Sequence, residues 1–590
     1  MIINALCDHY DILAADDQVI ISRPGFQKTD YVYTAILTEE GDLFELINNI
    51  AGKKNSKPQS AIMPLTMKSS AVGSSPVCDN MSYIFGVDDS KGKGIVKFNA
   101  AKALHMKLFE NTTSREGIAV RRFFEKWNPA DTPNREEITR FLVKGFSPPG
   151  NVVFRLVNET TYFHDIEEIC EIWRTENARK SNTDSEYVSQ CTITGATATI
   201  AKLHTQLSGV KGAQATGASL VCFNKPADES YNLPQSHNAR VSELAMFKYT
   251  TTLQYLLDSG KNKLYIGDDT CVFWASSPDK SHEEIGSAML FGFDEEKKNS
   301  DEYVLDRSVE NDVKAVLSQG SKGLYANPKL DPDVRFYVLG LAPNAGRVSV
   351  RYFYQSSLAE FCDRIKRYYN ETQIAGNKPH IKISSLIYAT VSTKSSDKKV
   401  NLLLGGAVMR AVLSGSDYPV ILFNQIISRV KAEADSPISQ TRAAAIKAYL
   451  TRNKKEEILP MLNKANTNSA YVLGRTFAIL EMIQKNSVEG KLNATIKDKY
   501  FASACSNPAL VFPTLLKLSQ HHLAKIGKEM EGLKVIREKQ LSECLGAIEG
   551  ESFPKAQNME NQGRFILGYY QQNQELYKKK EDNDNGSNKE

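Results

Sequence analysis

The stretch Val511-Phe-Pro-Thr-Leu-Leu-Lys-Leu-Ser-Gln-His-His-Leu-Ala-Lys525 decides how the last fifth of the chain folds. Leu515, Leu516, Leu523 and Ile526 recur at helical spacing and turn toward a core. Lys517, His521, Lys525 and Lys528 follow at intervals of four, four and three residues, so they share one helix face. Asn507-Pro508, just upstream, offers a cap and a first-turn proline. Further upstream, Leu473, Phe477 and Leu480 form an i, i+4, i+7 stripe that Ile479 and Ile483 extend. Downstream, Gly532 punctuates, Leu541, Leu545 and Ile548 form another stripe, and Phe565, Gly568 and Tyr569 close the series. Short helices with short connections predict an antiparallel bundle over residues 461–577 with one basic side. On periodicity alone, that basic row also fits an ordinary solvated face.

The rest of the chain is of a different kind. Residues 2–15 predict an opening helix. Tyr31–Leu37 and Asp42–Ile47 predict strands joined by a turn at Glu40-Gly41, and Asn151–Val157 predicts another strand. Helices are expected over 99–127, anchored by Phe123, Phe124 and Trp127, and over 165–180 and 242–258. Ser219–Phe223 is a strand candidate. Lys263–Trp274 reads as strand, Gly-Asp-Asp turn, strand. Arg335–Arg351 reads as two strands around Pro343-Asn344, in which Arg347, Ser349 and Arg351 alternate with Val348, Val350 and Tyr352 and so share one face. From Ile381 onward the pattern is mainly helical, and Gly415–Pro419 separates two helices. The expected fold class is α+β: a mixed N-terminal α/β region over 1–375, a helical connecting region over 376–460, the C-terminal all-helical bundle over 461–577, and a charged, disordered tail over 578–590.

Composition bounds the function. The chain has 590 residues, is 41% hydrophobic and 24% charged, and carries a net charge of only +4, so overall charge identifies no partner. Nine cysteines without a C-x-x-C pair imply no zinc site and fit a reducing cytoplasm. No signal peptide and no apolar run of membrane-spanning length is visible. The charge is unevenly placed. Four windows hold no acid at all: Leu46–Cys78, Cys191–Ala227, Val334–Ala359 and Ser436–Lys455. The first contains Lys68, Ser69 and Ser70 in a small-residue loop leading to Asn80. The second contains Lys202, His204, Lys211, Asn224 and Lys225. The third contains Arg347 and Arg351, and the fourth Arg442, Lys447 and Arg452. Each window can approach phosphates without like-charge competition, and asparagine and serine side chains can reach base edges. Each can also be a plain linker or surface.

Catalytic signatures are few. No G-x-x-x-x-G-K-[ST] phosphate loop occurs. His164-Asp165 is an isolated pair, and adjacent His521-His522 point about 100° apart on a helix, which makes them poor joint ligands. Gly267-Asp268-Asp269 has the look of the carboxylate hairpin of nucleotide polymerases, which would make the chain a metal-dependent enzyme. The same three residues are a usual β-turn composition. Neither a metal nor a cofactor is expected, and a purely structural scaffold stays open beside the two binding and catalytic readings.

Several phrases are idiosyncratic: Asn493-Ala-Thr-Ile-Lys-Asp-Lys-Tyr-Phe, the stretch from Val511, Gln562-Gly-Arg-Phe-Ile-Leu-Gly-Tyr-Tyr-Gln-Gln, Leu341-Ala-Pro-Asn-Ala-Gly-Arg-Val-Ser-Val-Arg and Arg442-Ala-Ala-Ala-Ile-Lys-Ala-Tyr-Leu-Thr-Arg. Together they resemble the large subunit of type I-C CRISPR interference complexes, the I-C form of Cascade. The resemblance covers nearly the whole chain. It departs at Thr205–Ser208, where a proline and a lysine are expected, at Lys68, which stands for an arginine, and at Gly346, which stands for an alanine. The resemblance implies a non-enzymatic cytoplasmic subunit that recognises the short motif flanking a target, the protospacer-adjacent motif, in double-stranded DNA. It implies partners as well: CRISPR RNA, the displaced single strand, backbone subunits, the handle-binding subunit and a helicase-nuclease. It also implies a small subunit translated from inside the same gene, for which Met461 is the placed start.

Overall fold

Tyr31–Leu37 is buried residue after residue, the pattern of a strand covered on both faces. In a computed structural model that describes residues 1–50, 58–65, 72–183, 187–291, 307–325, 327–328, 330–397, 399–488, 490, 492–548 and 552–586, this run is the core of β1 (Phe26–Leu37). β1 pairs antiparallel with β2 (Leu43–Asn48) and β3 (Gln59–Pro64), and parallel with β5 (Asn151–Leu156), which carries β4 (Cys78–Asn80) on its other side. The helices of this part are α1 (Ile2–Ala15), α2 (Met81–Ile84), α3 (Gly94–Leu108), α4 (Arg115–Lys126), α5 (Glu136–Thr139) and α6 (Glu167–Thr183). The helix expected over 99–127 is thus two helices, parted where Ser114 caps α4 by accepting from the Gly117 N–H. Phe123, Phe124, Phe154 and Trp173 fill the core over the sheet. A short hairpin of β6 (Val188–Gln190) and β7 (Thr197–Thr199) follows, and α7 (Glu243–Asp258) packs through Phe247 and Tyr255 on Tyr10 and Leu13 of α1.

The chain divides into two compact units, residues 1–205 with 221–255 and residues 206–220 with 256–590. The second is built on an antiparallel sheet of β8 (Lys263–Ile266), β9 (Asp269–Ala275), β10 (Arg335–Asn344) and β11 (Arg347–Ser357) in the order β11-β10-β9-β8. One face of it, with Phe273, Phe336 and Val338, packs on α8 (Ser281–Phe291), α9 (Arg307–Gln319), α10 (Ser321–Tyr325) and α11 (Leu358–Thr372). Then come α12 (Ile383–Tyr388), α13 (Leu404–Ser414), α14 (Val420–Ala432), α15 (Gln440–Asn453), α16 (Ser469–Asn486), α17 (Ile496–Ser506), α18 (Pro508–Glu529), α19 (Glu531–Gly546) and α20 (Met559–Gly586). The class is α+β, mixed first and all-helical last.

The bundle is tightest where α16 meets α20. A Cβ on Gly474 would collide with the Phe565 carbonyl, and one on Gly568 with the Tyr471 carbonyl, so two glycines set the close approach of the two helices. Phe477, Phe501, Phe512, Phe565 and Tyr569 meet edge to face around this crossing.

Three expectations change. Ser219–Phe223 is not a strand: Ala218 bridges Leu207 and Ser219 bridges Arg347, and pairing stops there. Residues 376–460 and the bundle share one core, with Phe423 of α14 under Gly563 of α20. The helix of α20 runs on to Gly586, beyond the Tyr577 where apolar spacing ends. Among the described residues, no helix is long and apolar enough to cross a membrane.

Candidate nucleic-acid interface

α18 is built as its periodicity dictates. Val511, Phe512, Leu515, Leu523 and Ile526 are buried, and Leu516 is partly buried against the same core. Lys517, His521, Lys525 and Lys528 are all exposed on the other side. Consecutive members are three or four residues apart, so they climb the helix about 4.5–6 Å at a time. None of them has an acidic partner among the described residues. His522, one step round the helix, shares a hydrogen bond with the Ser487 hydroxyl at 2.7 Å. Burial pushes it below its ordinary value, and the charges of His521 and Lys525 push it further.

A family model for a CRISPR-associated protein, Cas_Csd1, matches residues 6–577. The chain belongs to that family. No curated protein matches it at a significant level.

In this Cas_Csd1 chain the other basic windows are arranged quite differently from α18. Arg442, Lys447 and Arg452 were expected to hold nucleic-acid backbone, and the structure corrects all three, because they are 4%, 3% and 1% exposed. Arg442 bonds Glu433 at 2.9 Å and the carbonyls of Ala389 and Val391. Burial alone would raise Glu433, but hydrogen bonds from Arg442, Ser392 and Thr393 hold it down at about 2. Lys447 donates to the carbonyls of Asn370 and Glu371, and burial lowers it to about 8. Arg452 pairs with Glu371 and lies over the Tyr418 ring, 4.1 Å from its centre. The acids that meet Arg442 and Arg452, Glu433 and Glu371, lie outside the window, so a window free of acid in sequence is not free of acid in space.

Arg351 is corrected too. The register passes from Leu341↔Val350 to Gly340↔Tyr352, which leaves Arg351 as the extra residue of a β-bulge. The bulge breaks the alternation, and Arg351 lies beside Tyr352 against Gly406 of α13. Arg351 Nε lies 3.7 Å from Asp269 Oδ1. Arg347 is half-buried at the start of β11, where Ser219 bridges it in parallel.

The Gly267-Asp268-Asp269 turn joins β8 to β9. Lys211 Nζ donates to the Gly267 carbonyl at 2.7 Å and lies 3.7 Å from Asp268. Asp269 is 1% exposed at the N-terminus of α13, against Gly405 and Gly406. Burial raises it to about 6, against the pull of Arg351. Each carboxylate therefore has its own cation. Lys211 belongs to the second unit, while Lys202, His204, Asn224 and Lys225 belong to the first.

His204 is buried rather than offered to a ligand. Its Nδ1 is hydrogen-bonded to the Tyr249 hydroxyl at 2.5 Å, and burial lowers it to about 4. Lys202, Asn224 and Lys225 are exposed. Asn80 Oδ1 accepts the Ser82 N–H at 3.1 Å and caps α2. Lys68, Ser69 and Ser70 lie outside the described residues. His164 is a core histidine, stacked on Tyr162. One cation was missed. Arg410 on α13 donates to the Arg351 carbonyl at 2.7 Å and lines a cleft of about 450 Å³ with Tyr354, Leu413, Ser414 and Asp417. It stands outside every acid-free window, and its place on the exposed side of an amphipathic helix is its only signal in the sequence.

Proposed function

We propose that this chain is the non-catalytic large subunit of a type I-C CRISPR RNA-guided surveillance complex. In this reading it recognises the protospacer-adjacent motif in duplex DNA, aids unwinding and R-loop formation, and recruits a helicase-nuclease. The guide RNA, the backbone and handle-binding subunits and the two DNA strands are its partners. Base pairing reads the long target, and the protein reads a short duplex element and the backbone. The observation that carries the reading is the unpaired cation row on α18, in a chain whose family is CRISPR-associated. Such a row binds phosphates without sequence preference. The separate engagement of Asp268 by Lys211 and of Asp269 by α13 and Arg351 supports the absence of a paired-carboxylate catalytic site.

The test is binding of the assembled complex to duplexes that differ only in one flanking trinucleotide, over a range of salt. The expected result is tight binding for one trinucleotide and a log affinity that falls linearly with log salt. Affinity indifferent to the trinucleotide would overturn motif recognition.

A further inference from the structure

Ser230 to Leu233 form a tight turn, closed by the Leu233 N–H on the Ser230 carbonyl at 3.0 Å. Both central residues are left-handed, Tyr231 at φ 54° and Asn232 at φ 58°. That geometry suits Asn-Gly, and a bulky ring there is strained. Gln235 and Arg240 are left-handed as well, so four of the nine such non-glycine residues described fall within ten positions. Strain of this density persists only where the surroundings impose it. Here Asn238 imposes it. Its Oδ1 accepts the Ser230 N–H at 2.8 Å, and its Nδ2 donates to the carbonyls of Leu233 and Gln235 at 2.6 and 2.8 Å. Glu229 accepts the Gln235 N–H, and His237 anchors the base of the loop by stacking on Tyr187.

This wiring holds a ring out in water. Tyr231 is 93% exposed and touches no partner among the described residues. A solvated tyrosine on a strained turn gains nothing from packing, so the fold alone does not account for it. The same loop carries Lys225 and Arg240, both exposed and both without an acidic partner among the described residues. An exposed aromatic ring on a loop that also carries free cations matches one ligand chemistry well: a nucleobase on the ring with its phosphates on the cations. A base inside a duplex has both faces covered by its neighbours, so only an unpaired base can present one.

We propose that Tyr231 is a stacking platform for one unpaired nucleobase of a bound strand. The proposal rests on the nucleic-acid-binding reading above and names a contact within it. The test uses the full chain with two single-stranded probes of equal length, an oligothymidylate and an abasic oligomer. Tyr231→Ala should weaken oligothymidylate binding roughly 5- to 100-fold and leave abasic binding and its salt dependence unchanged. Tyr231→Trp should keep the affinity, and Tyr231→Leu should not. Folding is not at risk, because the ring packs on nothing; Asn232→Gly, which relieves the turn, should bind as the natural chain does. Equal affinity of Tyr231→Ala and the natural chain for oligothymidylate would overturn the proposal, as would an equal loss on both probes. Loss of assembly into the complex with unchanged oligomer affinity would assign the ring to a protein partner and also overturn it. A natural chain that binds neither probe would sink the nucleic-acid reading itself, which separates the two failures.

Discussion

Arg452 of α15 closes on Glu371 of α11 at 2.7 Å, at the centre of the second unit. The guanidinium also caps the end of α13 through the carbonyls of Ala411 and Ser416. Arg452→Ala leaves a buried carboxylate with only Arg367 and the Tyr418 hydroxyl. Losing one member of a buried pair costs about 3–5 kcal/mol, and the remaining partners place this case near the lower figure. Thermal unfolding should show a drop of several degrees, with unchanged DNA affinity in the folded fraction. Lost affinity at unchanged stability would return Arg452 to the nucleic-acid interface.

The contrast between Arg452 and Lys517 shows what a sequence displays. Lys517 was legible because local periodicity alone sets its face. The same local signals located α1, β1 and the strands β10 and β11. The fate of Arg452 depends on Glu371, 81 residues away, which no window can show. The bulge at Arg351 is equally hidden, because one extra residue flips every later side chain. Ser219–Phe223 has strand propensity, yet a strand needs a partner along its length, and only Ser219 finds one on β11. The assignment of 206–220 to the second unit is likewise a tertiary fact.

Acid should unfold the first unit early. His105 is fully buried, its Nδ1 donating to the Ala101 carbonyl and its Nε2 accepting the Val77 N–H, and burial lowers it to about 4. His204 is lowered to about 4 in the same way. In the unfolded chain both titrate near 6.5. The unfolded state therefore takes up protons first, so stability is whole above about pH 6.5 and falls until about pH 4. Asp269 of the second unit acts in the opposite direction, since its folded value of about 6 lies above the ordinary one, so it stabilises that unit as pH falls. Melting at pH 7.5 and pH 5 should show the decline, and His105→Asn, less stable at pH 7.5, should flatten it. An equal slope in that variant would clear His105 of the effect.

The proposed motif reading would give Asn80 a second role, separable from its cap. Its Oδ1 caps α2, and its amide N–H₂ is the group available to a base edge. Asn80→Asp keeps the cap and removes the donor. Motif preference should relax by about 1–3 kcal/mol with the melting temperature unchanged. Asn80→Ala should add about 1 kcal/mol of destabilisation from the lost cap. Intact preference in Asn80→Asp would remove Asn80 from motif reading.

The α18 row makes a quantitative claim. Replacing Lys517, Lys525 and Lys528 with glutamine removes three cations whose side chains are exposed and unpaired among the described residues. Each phosphate contact on a single strand contributes about 0.7 to the slope of log affinity against log salt. The triple variant should therefore lose about 2 from that slope while melting as the natural chain does. A slope that does not move would make the row a solvated face and nothing more.

Met461 stands exposed in the connector between α15 and α16, ahead of the Asn468 cap of α16. A product starting there would keep α16 to α20 and the whole aromatic cluster around Phe477 and Tyr569. With about 130 residues it is long enough for its own core. It would lose the core that the bundle shares with α14 and α15, and with it the Arg564 pair with Glu456, the Lys454 pair with Glu560, and the bonds of Tyr570 and Lys497 to the carbonyls of Ala375, Ala434 and Ser436. Arg564 and Glu560 can be solvated once freed. Phe423 and Ile446 would no longer cover Gly563, so separation bares an apolar face of the bundle that its partner surfaces must cover. Met482 is a worse start, because it would remove Tyr471, Gly474 and Phe477 and leave α20 without its partner. Expression of the intact gene should yield a second polypeptide of about that length, and Met461→Leu should abolish it while Met482→Leu should not. If the short product persists in Met461→Leu, translation starts elsewhere. If no short product forms at all, the bundle acts only as part of the full chain, and the α18 row must bind its strand from there.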